Sequence, residues 1–180
     1  MGKIFWGLIF VLLDFNVGRF DIIPDFVGYV FIALGIGELM KHGYRSLERE
    51  RMLTYIQVVI SLATYPIGAA RGSVGTALLN VVNLAMLILS IIIIWGIISW
   101  ILDAERLTGR NFRGAHLQSR YLLVVIFMGV TYVAGLAAFV LPIFMGAITI
   151  IAGIVAFIAY IFFLIAFYQT KELYNDFRGR

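Results

Sequence analysis

Apolar residues run along this chain in long blocks, separated by short stretches rich in charge or in glycine and proline. Blocks at 4–18, 24–40, 50–65 and 76–102 are followed by a nearly unbroken apolar stretch from 121 to 170. A helix rises 1.5 Å per residue, so a single helix through that last stretch would reach roughly 75 Å, far beyond the ~30 Å hydrocarbon core of a bilayer. The stretch must fold back, and Leu141 and Pro142 mark the place, giving spans at 121–140 and 143–169. The pattern predicts an all-α, polytopic transmembrane helix bundle with six spans in a single transmembrane domain, residues 1–180. Block 4–18 is short for a full crossing, so five spans plus a re-entrant first segment is the alternative.

Polar positions inside the blocks recur at helical spacing. Gly7, Val11, Asp14 and Gly18 share one face of the first segment, small except for the acid, and that face is expected to pack inward. Asp21 is the expected N-cap of the second segment, with Pro24 in its first turn and Asp25 at the positive end of the helix dipole. Asp21, Asp25, Gly28, Ile32 and Gly35 then fall on one side. Thr54, Gln57, Ser61 and Thr64 form a polar stripe on the third segment; Thr76, Asn80, Asn83 and Ser90 form another on the fourth. Glu38 lies beside Lys41 and His42 and is expected to be a solvated helix end. The stretch 66–75 has the glycines of a phosphate-binding loop but lacks the Gly-Lys-Ser/Thr ending and a preceding strand, so it predicts a turn.

Composition assigns the solvent. Of the residues 62% are hydrophobic and 13% charged, with mean hydropathy +0.99, whereas a water-soluble domain carries about 25% charged residues. This chain is too apolar to cover itself against water, and lipid is its expected surround. The absence of cysteine excludes disulfides and thiolate chemistry. The net charge of +4 is distributed at segment ends, so nucleic acid is not an expected partner. With the amino terminus inside, Arg19 and Arg71 are the only basic residues on the outer side, and the other twelve of the 14 fall on the inner one. The positive-inside rule then places both termini in the cytoplasm. Trp6, Trp95 and Trp100 fall near the same inner interface. Lys3 ahead of an apolar run looks like a signal peptide, but Asp14, Asn16 and Arg19 occupy the cleavage region, and the segment is expected to be retained.

This topology would bring Asp14, Arg19, Asp21 and Asp25 from the first hairpin to one level with Thr64, Tyr65, Asn80 and Asn83. Ionisable groups at membrane depth pair or face a cavity, because an uncompensated charge at the bilayer centre costs at least ~2.5 kcal/mol. An outward-facing polar pocket that binds a small solute or cation is one reading of these eight residues. The other is architectural: Asp14 paired with Arg19, Asp21 capping, Asp25 on the dipole and the stripes bonding between helices at about 0.6 kcal/mol each. No catalytic residues, metal site or cofactor are expected. His42 and His116 lack ligand spacing, and the sequence has no Gly-x-Gly-Asp, His-Glu-x-x-His or aspartate-rich head-group-transferase motif.

The segment FDIIPDFVGYVFIALG, following LLDFN, resembles the opening of a group of uncharacterised small integral membrane proteins of bacteria that share an LDF and DIIPDFIGY-like signature. The resemblance covers about the first 40 residues. It implies a multi-pass protein of the bacterial plasma membrane and no particular activity. In size and topology the chain also looks like the substrate-binding subunit of energy-coupling-factor vitamin transporters, without a diagnostic motif. Three function classes therefore stand: a solute or ion binding and transport component; a non-catalytic membrane adaptor that docks a protein partner through its hairpin or its arginine-rich inner connections; and an intramembrane enzyme with an aspartate acid and base pair, which the missing motifs disfavour.

Overall fold

The computed structural model describes residues 1–12, 16–17, 20–21, 25–64, 73–137 and 142–178, with side chains for 1–12, 25–63, 80–137 and 144–178. Its described residues form six helices: α1 (Gly2–Leu12), α2 (Asp25–Met40), α3 (Glu48–Thr64), α4 (Ser73–Thr108), α5 (Gly114–Ala137) and α6 (Pro142–Arg178). A two-residue ladder joins β1 (Asn16–Val17) to β2 (Phe20–Asp21), with Asn16 opposite Asp21. Outside this ladder and the connections at 41–47 and 109–113, the described residues after Met1 are helical.

Three of these helices are long and apolar enough to cross a membrane, over Asn80–Thr108, Gly114–Ala137 and Phe144–Arg178. Helices α1, α2 and α3 have 11, 16 and 17 residues, short of that criterion. The first helix stops at Leu12 and does not reach Gly18, because the chain beyond it enters the β1–β2 ladder. For the same reason Asp21 is not an N-cap: its backbone pairs with Asn16, and α2 begins four residues later at Asp25. The predicted turn at 66–75 lies largely outside the described residues. The fold-back of the long apolar stretch is where Pro142 put it, at the first residue of α6, a position that needs no backbone N–H and favours the fixed φ of proline.

The chain packs as two units, Met1–Arg110 and Asn111–Arg180. In the first, α1 lies against α2, α2 against α3 and α3 against α4. Ile4, Leu8, Ile32, Ile36, Leu39, Leu47, Ile93, Ile97, Trp100 and Ile101 are buried. Gly7, Gly28 and Gly35 let the backbones of α1 and α2 touch. Helix α2 ends on Gly43, held at φ 70 with its N–H donating to the Met40 carbonyl at 3.3 Å, a left-handed stop that only glycine takes without strain. After it, Tyr44 sets its ring edge-on to Trp100 at 5.3 Å, and Arg45 reaches Asp103 of α4 at 3.4 Å. Lys3 and Glu38 join the ends of α1 and α2 at 2.6 Å. That pair, as an exposed one, contributes only about 0–1 kcal/mol. It makes Glu38 a partner of α1, where the sequence places it beside Lys41 and His42.

The second unit is the α5–α6 hairpin. Phe163 is fully buried and stacks with Tyr121 at 5.2 Å, Tyr160 at 5.8 Å and Phe167 at 6.1 Å. Near the polar end, Phe112 packs on Tyr174 and Phe177, each at 5.6 Å. Arg113 adopts φ 65; the Asn111 Oδ1 accepts its backbone N–H at 2.8 Å, and its guanidinium donates to Gln169 Oε1 at 3.0 Å. The outward faces carry Val133, Phe144, Ile150 and Ile151, each more than 60% exposed. Contiguous apolar surface of this kind is unfavourable against water and neutral against acyl chains.

The three tryptophans differ in burial. Trp6 and Trp95 are about half exposed, as interface anchors are, but Trp100 has 0% exposure and belongs to the core.

Candidate functional site

Of the eight pocket residues named from sequence, the side chains of three, Asp25, Asn80 and Asn83, are described. Asp14, Arg19 and Tyr65 lie outside the described residues; of Asp21 and Thr64 the backbone alone is described. Asp25 is half-buried in the first turn of α2, and Asn80 and Asn83 are exposed on α4.

What the fold does bring together is a polar file where α2, α3 and α4 meet. Gln57 of α3 has 1% exposure, and its amide nitrogen donates to the Met86 carbonyl at 3.0 Å and to Ser90 Oγ at 2.8 Å. Met86 and Ser90 are one turn apart on α4, so one side chain on α3 grips a single turn of its neighbour and uses both amide protons. Tyr29 of α2, 6% exposed, completes the junction through a hydrogen bond with Ser90. Asp25, one turn before Tyr29, acts on it electrostatically. Toward the other end of α3, Thr54 is fully buried and its hydroxyl donates to the Glu50 carbonyl at 2.7 Å.

Replacing Gln57 by leucine removes both interhelical bonds at nearly constant volume. Such bonds are worth about 0.6 and at most ~1.7 kcal/mol in a membrane protein. The expected result is a modest fall in thermal stability in detergent, with Gln57→Leu and Ser90→Ala together costing less than the sum of the two. Additive costs would show that the pair is not coupled.

No protein-family model, curated protein or solved structure matches the chain. The site therefore has to be read from its own chemistry. Among the described residues no three His, Cys, Asp or Glu side chains gather to hold a metal ion. The file instead offers a phenol, an amide, two hydroxyls and a carboxylate between apolar helices, the groups that replace the hydration of a small polar solute or ion.

Sequence reasoning placed Gln57 and Ser90 on polar stripes but not in a site, and it passed over Tyr29 and Glu50. A signal for both was present. Tyr29 follows Asp25 by one turn, and Glu50 extends the Thr54 and Gln57 stripe back by one turn.

Proposed function

We propose that this chain is a multi-pass protein of a bacterial plasma membrane, both termini cytoplasmic, that binds and passes a small solute or cation and is not itself a catalyst. The observation that carries this reading is the Tyr29, Gln57 and Ser90 junction where α2, α3 and α4 meet, with Tyr29 and Gln57 buried and Asp25 one turn from Tyr29. Interhelical bonding alone would be satisfied by hydroxyls; a file with a carboxylate at its mouth also gives a polar guest a place to shed water. In this proposal Asp14, Arg19, Asp21, Thr64, Tyr65, Asn80 and Asn83 form the outer vestibule above Asp25.

Native mass spectrometry of the protein, gently extracted from its membrane, tests this. The expected result is a small-molecule adduct on the parent that is lost from an Asp25→Asn variant that still inserts. A stoichiometric protein partner with no small ligand would replace the transport reading by the adaptor one.

A further inference from the structure

The α5–α6 hairpin is one-sided in charge. From Asn111 to Lys171 the sequence contains no Asp or Glu but three Lys or Arg: Arg113, Arg120 and Lys171. Lys171 is matched, its ammonium 3.0 Å from Glu172 and 4.2 Å from the centre of the Tyr168 ring. The two arginines have neutral partners. Arg113 donates to Gln169 Oε1 at 3.0 Å, and the Arg120 guanidinium stands 5.7 Å from the centre of the Phe162 ring. Among the described residues no carboxylate lies within ion-pair distance of either. The acids of α6, Glu172 and Asp176, are exposed and lie beyond Gln169, toward the end of the helix.

These two contacts run along one line of the hairpin. Gln169 and Phe162 are seven residues apart on α6, as Arg113 and Arg120 are at the start of α5, so the register is antiparallel and the contacts are roughly 10 Å apart along the axis. His116, exposed, falls between the arginines at steps of three and four, and the exposed Leu123 continues that face toward the apolar part of α5. On α6 the face of Gln169 continues through Ile165, Phe162 and Ile158, each about half exposed. The surface thus carries cations without acids at one end and bare apolar side chains at the other.

A guanidinium offers five N–H donors in a planar fork. Arg113 donates to Gln169, and Arg120 makes no hydrogen bond among the described residues, so most of this capacity faces outward. Arg113 also holds a left-handed backbone, φ 65, that glycine or asparagine takes more easily. Strain of this kind is found at ligand clamps. The fork matches the oxygens of a phosphate, and the half-exposed Phe162 and Ile158 match an acyl chain. A zwitterionic headgroup would bring its own cation against the two arginines; a net-anionic one does not.

We propose that this face of the hairpin binds an anionic phospholipid, its phosphate held by Arg113 and Arg120 and an acyl chain lying over Phe162, Ile158 and Leu123. The site goes beyond the solute-binding role and uses none of its residues. It requires only that α5 and α6 cross a membrane, for which both are long and apolar enough.

Native mass spectrometry of the full chain, from detergent micelles holding equal amounts of phosphatidylglycerol and phosphatidylcholine, tests the site. The parent is expected to retain phosphatidylglycerol over phosphatidylcholine by about tenfold or more, since each basic residue near a lipid surface adds severalfold. Arg113→Asn with Arg120→Gln is expected to bring the two lipids toward parity, asparagine being chosen because it accepts the left-handed backbone. Arg120→Gln alone, which gives up no hydrogen bond among the described residues, is expected to lower the preference part way and decides the matter if the double variant does not fold. Arg49→Gln with Arg178→Gln removes the same charge from other exposed positions and is expected to leave the preference intact. Absence of a preference in the parent, its survival in the double variant, or an equal loss in the two pairs overturns the proposal. Displacement of the lipid by inorganic phosphate overturns it too, by making the face a site for a free anion.

Discussion

Trp100→Ala is expected to cost about 3–5 kcal/mol, the range for deleting a large buried aromatic side chain. Trp100 has no exposed surface, and its ring meets Tyr44, which lies in the connection between α2 and α3. Its removal leaves a cavity in the core of the first unit, where Leu47, Ile97 and Ile101 are also at 1% exposure or less. It also frees the connection that Arg45 ties to Asp103 only through an exposed pair. Thermal denaturation in detergent, followed by size-exclusion chromatography, measures the loss. Trp95→Ala is the control, since Trp95 is 43% exposed and its truncation should change stability by a few tenths of a kcal/mol. Equal effects at the two positions would mean that Trp100 anchors at an interface as Trp95 does.

Gly28→Leu is expected to separate α1 from α2. A Cβ at Gly28 would stand 2.8 Å from the Gly7 carbonyl oxygen and 3.1 Å from the Val11 nitrogen, and one at Gly35 would stand 2.8 Å from the Ile4 nitrogen. These neighbours are backbone atoms and cannot rotate away. The helices must move apart, at a cost of about 1–3 kcal/mol for the overpacking itself and more as the contact from Ile4 to Val11 is lost. Cysteine pairs introduced across α1 and α2 should cross-link readily in the parent and poorly in Gly28→Leu. Gly146→Ala serves as control, because none of the described residues lies within 4 Å of a Cβ there. A Gly28→Leu protein with undiminished cross-linking would show that the two backbones do not meet at Gly28.

These two sites also show what the sequence disclosed. The inward face containing Gly7 and Val11 and the α2 face of Gly28, Ile32 and Gly35 were legible from spacing, since a helix has one period and small residues allow close approach. Gly129 and Gly146 carry the same signature and make no close contact among the described residues. Spacing identifies a smooth face but not the element that covers it. The burial of Trp100 was not legible for a related reason: tryptophan prefers both interfaces and cores, and local pattern does not distinguish them. The end of the first helix was missed because Asn16 and Asp21 pair across a tight reversal, and a two-residue ladder has too little periodicity to be seen.

The amino-acid sequence by itself determined that the chain is largely helical, that it carries apolar helices long enough to cross a membrane, and that its long final stretch is broken at Pro142. These follow from hydrophobic period, charge content and the missing N–H of proline, all local properties. Only the tertiary structure decided that Gln57 reaches Ser90, that Tyr29 joins them, and that Glu50 is enclosed against Gly96. Those contacts join residues 33 or more positions apart, and they depend on the register with which α2, α3 and α4 pack. Register is chosen by the fit of whole helix faces, and no single segment carries it.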